Sequence, residues 1–253
     1  MRRIGGDILT GMPSDDNSFS MAAGVWQDGR VQQKADIRTE DWARPGEPFR
    51  LTAVRPDAAD WAACLPAEAR RRLERHAHDR ARARAGASEW FKACWLPREL
   101  GLESVAFALG PNGKPMPGGA ASGWGFNLTH AGDWVLAALV RGAAIGVDLE
   151  ATARRADIVG LSKRVFSDSE QAQVREGGRE AFFTLWSQKE ALLKALGCGW
   201  ADGRIQRRTA LVTAQFQVEP VTGARVWSRR VQEGYALAVA LLDQSENTSA
   251  VKT

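Results

Sequence analysis

Cysteine is scarce in this 253-residue chain: Cys64, Cys94 and Cys198 are its three, far apart and with no C-x-x-C pair. An odd, dispersed set argues against a zinc site or a disulfide framework and for reduced thiols in a cytoplasmic protein. Long apolar runs are missing too, since nothing approaches the roughly 20 residues that cross a bilayer. The opening "MRRIGGDILTGMPSDD" has two arginines without an apolar segment behind them, so no secretory signal is expected. Close internal repeats are also absent. What remains is an ordinary soluble composition, 44% hydrophobic and 25% charged, long enough for one large domain or two small ones.

The net charge is +4, which suits an anionic ligand or partner without naming it. Much of that charge is local: "RRRLERHAHDRARAR", Arg70–Arg84, holds seven arginines against one glutamate and one aspartate. Most of these arginines suit a solvated helix face.

Residues 1–44 are rich in Gly, Asp, Ser and Gln with weak periodicity, and read as a loosely ordered extension closed by the turn residues of "ARPGEP". "FRLTAV" alternates as a strand, and Pro66–Leu96 reads as two helices divided near Gly86. "GPNGKPMPGG" is a loop by composition. "GFNLTHAG", "DWVLAALV" and "AIGVDLE" follow as short strands. A helical stretch from Asp157 contains Ser167 with Glu170 three residues on, the capping-box spacing. "REAFFTLWSQKEALLKAL" is the strongest helix, with Gly197 as its stop. "ALVTAQFQVE", "ARVWSRR" and "YALAVALL" return to strands. The coarse order of strand, helices and strands occurs twice. It predicts an α+β fold of two similar halves, 45–142 and 143–243, followed by a tail over 244–253.

Two acidic positions carry the chemistry. Asp148 and Glu150 sit at i and i+2 of an apolar strand, so their side chains share a face. Like charges there gain from a cation between them, and oxygen ligands without His or Cys indicate Mg²⁺ or Mn²⁺. The plain alternative is a strand reaching water. Glu190 offers a third carboxylate, and Lys194, one turn on, could meet phosphate charge; as a bare helix-surface pair the two would contribute roughly 0.2–0.5 kcal/mol. Lys114 and His130 would add positive donors. "GPNGKP" is not a Walker A loop, because proline follows the lysine and no Ser or Thr is placed to hold metal.

Five motifs, "GKP" (113–115), "FNLTH" (126–130), "IGVDLE" (145–150), "FSDSE" (166–170) and "FFTLWSQKEALLKALGCG" (182–199), stand in the order and spacing of one family. The chain resembles the surfactin-type 4'-phosphopantetheinyl transferases, loosely from about Phe49 to Leu242. The resemblance implies a holo-carrier-protein synthase, moving the 4'-phosphopantetheine arm of coenzyme A onto a serine of an acyl or peptidyl carrier protein and releasing 3',5'-ADP. It implies a pseudodimer of two α+β halves, each a mostly antiparallel sheet with a long helix, with the active site in the cleft between them.

By position, the resemblance makes Asp148, Glu150 and Glu190 ligands of Mg²⁺ (or Mn²⁺). Lys194 would stabilise the transferring phosphate, and Glu190, directly or through a water, would take the serine proton. Thr129, where the family often has serine, and His130 would contact coenzyme A phosphates. Lys114 would lie near the nucleotide, and Arg70, Arg71 or Arg72 would reach the 3'-phosphate. Glu170 has no fixed role beyond capping. A monomer, a carrier that is acidic around its serine, and no nucleic-acid or membrane partner are expected. Two other classes remain open: another Mg²⁺-dependent phosphotransferase or pyrophosphate hydrolase, and a nucleic-acid binder built on the arginine run.

Overall fold

Regular structure begins earlier than the composition suggests. The computed structural model describes residues 20–27, 30–76, 78–200 and 208–243; the beginning of the expected extension and the whole of the expected tail lie outside them. Strands β1 (Ser20–Gln27) and β2 (Arg30–Arg38) form an antiparallel hairpin with a register shift at Ala23/Gly24. That ladder replaces the loose extension expected over these residues. A sequence such as "VQQKAD" has no apolar alternation by which a strand can be read. Strand β3 (Glu40–Asp41) pairs with β4 (Arg50–Val54), so the first sheet already includes residues before 45.

The helical stretch starts at α1 (Trp61–Cys64), whose N-cap Asp60 accepts from the Ala62 N–H, and continues in α2 (Ala67–Leu73) and α3 (Asp79–Trp90). A π-helical turn, Phe91–Trp95, leads into α4 (Leu96–Leu100), which stops at Gly101 in the left-handed region. The break falls between α2 and α3, not near Gly86. Gly86 lies inside α3 because a Cβ there would come within 2.4 Å of the Trp61 Cβ. It is a contact point, and its backbone stays helical.

Strands β5 (Phe107–Leu109) and β6 (Pro115–Pro117) form a hairpin around the expected glycine-proline loop. Then come β7 (Trp124–Ala131), β8 (Trp134–Arg141) and β9 (Ala143–Ala151), as the three short strand-like runs predict. Helix α5 (Ile158–Val165) precedes α6 (Asp168–Leu196), which opens with the Ser167/Glu170 capping box, is interrupted at Gly178 and ends at Gly197 with φ 70°. Of "ALVTAQFQVE" only β10 (Phe216–Val218) is strand; ahead of it the Gln217 side chain bonds both the N–H and the carbonyl of Val212 in place of a ladder. Strands β11 (Arg225–Val231) and β12 (Tyr235–Asp243) close the fold.

The result is α+β, with two four-stranded antiparallel sheets ordered β3-β4-β8-β7 and β10-β11-β12-β9. Their connectivity matches. In each, the strand before the helices (β4, β9) pairs with the last strand (β8, β12), which pairs with the one before it (β7, β11). Three apolar clusters give the layering. One joins α1–α4 to β4, β7 and β8; a second lies between the sheets, using Leu136 and Ala138 against Val147 and Val239; a third joins β9, β11 and β12 to α6. Strand β8 is therefore buried on both faces, as its unbroken "WVLAALV" requires.

Edge strands β7 and β9 meet without a backbone ladder. Instead Asn127 Oδ1 accepts from the Val147 N–H at 2.9 Å and Thr129 Oγ1 from the Leu149 N–H at 3.3 Å, so side chains at alternate positions satisfy one edge. On the other face of β9, α6 comes so close that a Cβ on Gly146 would lie 1.9 Å from the Ala191 carbonyl oxygen. Gly146→Ala is therefore expected to push α6 off β9 and cost about 1–3 kcal/mol. Gly123→Ala, which meets nothing within 4 Å, should stay within about 0.5 kcal/mol in the same urea unfolding series.

Candidate active site

The seam between β7 and β9, covered by α6, gathers most of the residues singled out from the sequence. Asp148 is buried, and its Oδ1 lies 2.7 Å from Lys194 Nζ and 3.4 Å from Thr129 Oγ1. Lys194 also donates to the Val147 carbonyl at 3.0 Å and reaches Thr129 Oγ1 at 3.4 Å. Asp148 Oδ2 is buried, with no hydrogen-bond partner among the described residues. Burial pushes the Asp148 pKa up to about 7 against the pull of Lys194, and the charges of Glu150 and Glu190 add to the rise.

Glu150 follows the same logic one step out. Burial raises its pKa, Arg154 opposes the rise and Glu190 adds to it. The three acidic residues thus feel one another's charge, yet each turns to a different partner. Glu150 is ion-paired with Arg154, and Glu190 accepts from the Trp200 indole N–H, a ring that stacks on Trp186. Among the described residues no three His, Cys, Asp or Glu side chains are arranged as a ready-made cation cage.

His130, at the end of β7, keeps an exposed face; partial burial lowers its pKa, followed by the charges of Arg84 and Lys194. Lys114 turns to main chain. Its Nζ donates to the Ile145 carbonyl at 2.8 Å and the Lys194 carbonyl at 2.6 Å, and burial pushes its pKa down to about 8. With Asn112 donating to the Gly197 carbonyl at 2.7 Å, the glycine-proline loop caps the C-terminal end of α6. No hydrogen bond among the described residues ties Arg70 to this group; it is exposed on α2, and its guanidinium donates to the Leu65 carbonyl at 3.2 Å. Arg80 and Arg84 of the same arginine run do come close, bonding Asp133 Oδ1 and the Gly132 carbonyl just beyond His130. A cavity of about 330 Å³ opens there between Arg80, Ala83 and the Gly132–Asp133 turn.

Glu170 has a definite place. Fully buried, it accepts from the Ser167 N–H, from Lys189 Nζ at 2.6 Å, from Thr209 Oγ1 and from the Leu211 N–H, tying the start of α6 to its middle and to the following loop. Asn127, Arg154 and Trp200 were missed from sequence. Only Asn127 left a signal, as a polar residue alternating with Thr129 in an otherwise apolar strand.

Sequence comparisons place the chain in a family. A model of the 4'-phosphopantetheinyl transferase superfamily matches residues 144–240, which run from β9 through α6 to β12. The chain is 35% identical over 163 residues to the 4'-phosphopantetheinyl transferase HetI of Nostoc sp., covering 60% of this chain and 69% of that protein. It is 32% identical over 177 residues to slr0495 of Synechocystis sp., provisionally named as such a transferase, covering 67% and 72%. Against the transferase psf-1 of Bacillus pumilus it is 38% identical over 108 residues, 41% of this chain and 45% of that one. The fold and these matches define a transferase. The chain belongs to the 4'-phosphopantetheinyl transferase superfamily.

Because the Asp148 pKa lies above the ordinary carboxylate value, the unfolded chain releases that proton first as pH rises. Between about pH 4 and about pH 7 the folded state keeps a proton the unfolded state has lost, so stability falls across that window. In metal-free buffer, Asp148→Asn should gain stability over the wild type as pH rises through it. A flat difference between the two urea unfolding series would show that burial does not govern this carboxylate.

Proposed function

We propose that the chain transfers the 4'-phosphopantetheine arm of coenzyme A to a serine hydroxyl of an acyl or peptidyl carrier protein, with Mg²⁺ (or Mn²⁺) bound and 3',5'-ADP released. The observation that carries the reading is Asp148 at the seam, paired through one oxygen with Lys194 and leaving the other buried and unpartnered. An orphaned carboxylate oxygen beside two further mutually repelling carboxylates fits a divalent cation. Asp148, Glu150 and Glu190 would hold it, and when bound it would neutralise charge on the pyrophosphate of coenzyme A.

The chain's own groups do the rest. Lys194 is held on Asp148 and the Val147 carbonyl, with Thr129 within 3.4 Å, so its ammonium is oriented before substrate arrives. It stabilises the charge that develops on the transferring phosphate. Glu190, oriented by the Trp200 N–H on one oxygen, takes the serine proton directly or through a water, a step typically worth about 10²–10⁴-fold. Thr129 and His130 contact the phosphates. In this reading Arg80 and Arg84, beside the Gly132 turn, take over the nucleotide-phosphate contact expected of Arg70. The matching connectivity of the two sheets supports a pseudodimer of two halves, the first including β3 ahead of residue 45 and the second beginning at β9, with the site at their seam. The acidic carrier, the monomeric state and a cytoplasmic location belong to the same proposal; among the described residues no helix is long and apolar enough to cross a membrane.

The test is incubation with coenzyme A, Mg²⁺ and a panel of apo carriers, read by intact mass. One phosphopantetheine arm should appear on the carrier serine. Cleavage of coenzyme A with every carrier unmodified would mean a pyrophosphate hydrolase instead. Glu190→Gln should abolish transfer with stability changed by no more than about 1 kcal/mol. Lys194→Met should lower kcat by about 10²–10³-fold, the scale for loss of one preorganised charge donor.

A further inference from the structure

Glu150 is engaged by a cation that the chain itself supplies. Arg154 places Nε 2.8 Å from Glu150 Oε2 and Nη2 3.2 Å from Oε1, so the planar fork occupies both oxygens. Its guanidinium carbon lies 5.5 Å from the Phe183 ring centre and 5.9 Å from that of Trp186. Arg179 fixes the same turn from behind, with Nε donating to the Thr152 carbonyl at 2.6 Å and Nη2 to the Arg154 carbonyl, while stacking over Phe183. Thr152 is held in turn by its N–H and hydroxyl on the Gly234 carbonyl.

An exposed ion pair is usually worth little, because two long side chains must be ordered to form it. Here most of that ordering is already provided. The fork is bidentate, its face rests on aromatic rings, its backbone is stapled to α6, and Glu150 has only 15% of its side chain exposed. Oxygens held in this way have lone pairs committed to the guanidinium, and a positive charge stands where a second cation would have to approach.

We propose that Arg154 is a latch on Glu150, neutralising it while no cation is bound and yielding it when a divalent cation enters, so that Arg154 sets cation affinity. The inference rests on the reading above that Glu150 is one of the cation's ligands. Arg154 acts through Glu150 and is a positioning residue.

Direct Mn²⁺ titration of the full chain, with free Mn²⁺ followed by electron paramagnetic resonance, tests it without any turnover. Arg154→Met should bind Mn²⁺ tighter than wild type by on the order of three- to tenfold. Arg155→Met removes the same charge one residue away, where no ion pair forms among the described residues, and should change affinity by less than about twofold. Glu150→Gln should weaken binding and erase the gain in the double variant. If Arg154→Met does not fold, Arg154→Lys, which keeps the charge but loses the fork, should still bind more tightly than wild type. Unchanged or weaker Mn²⁺ binding on loss of the fork, with Glu150→Gln still weakening it, overturns the latch. Binding indifferent to Glu150→Gln instead removes the ligand role on which the latch depends.

Discussion

Asp148 and Lys194 hold opposite charges 2.7 Å apart at the seam of two sheets, and much of the surrounding structure follows from keeping them there. A buried ion pair loses more hydration than it regains by attraction unless its remaining atoms are well bonded. Lys194 meets that condition through the Val147 carbonyl, with Thr129 close by; Asp148 meets it through one oxygen only. The incomplete partner is what separates this pair from a structural one. The contrast with Lys189 and Glu170 is direct: that pair is fully buried, and both Glu170 oxygens are spoken for. The fully buried pair has both carboxylate oxygens bonded, and the half-buried one leaves Asp148 Oδ2 without a partner among the described residues.

Backbone geometry makes the seam possible. Gly146 lets α6 approach β9 at main-chain distance, which brings Lys194 over Asp148, two residues along the strand. Asn127 and Thr129 then do for the edges of β7 and β9 what a ladder would otherwise do, so two sheets join without becoming one. Lys114 and Asn112 complete the enclosure by bonding carbonyls at the end of α6. A lysine that reads as a ligand for an external anion is here bonded to the helix that carries Lys194.

Local physics was legible in the sequence wherever it was sufficient. The alternation of β7, the continuous apolar run of β8, the capping box at Ser167 and the glycine stop at Gly197 each depend on residues a few positions apart. The i, i+2 spacing of Asp148 and Glu150 placed two acids on one strand, Glu190 and Lys194 stood one turn apart on the strongest helix, and the family resemblance supplied the roles expected of them. Long-range contacts were not legible. Gly86 reads as a helix break until Trp61 is seen against it, and the β1–β2 ladder has no apolar period to announce it. Arg80 and Arg84 could not be told from the rest of the arginine run by composition, because what sets them apart is their contact with the distant turn at Gly132. Arg154 follows Glu150 at helical spacing from the end of a strand, where that spacing carries no meaning.

The three acids differ in how their charge is met, and the difference orders them. Asp148 faces an ammonium and Glu150 a guanidinium, whereas the partner of Glu190 among the described residues is a neutral indole N–H. A neutral donor orients a carboxylate without cancelling its charge, whereas the charges of Asp148 and Glu150 are met by cations. Glu190 also lies on α6 four residues before Lys194, on a helix pinned at its start by Glu170 and at its end by the glycine-proline loop. Its position is thus fixed by the fold while its charge is left uncancelled by the Trp200 N–H. A group meant to accept a proton or to hold a cation needs both properties, and a helix-surface salt bridge needs neither.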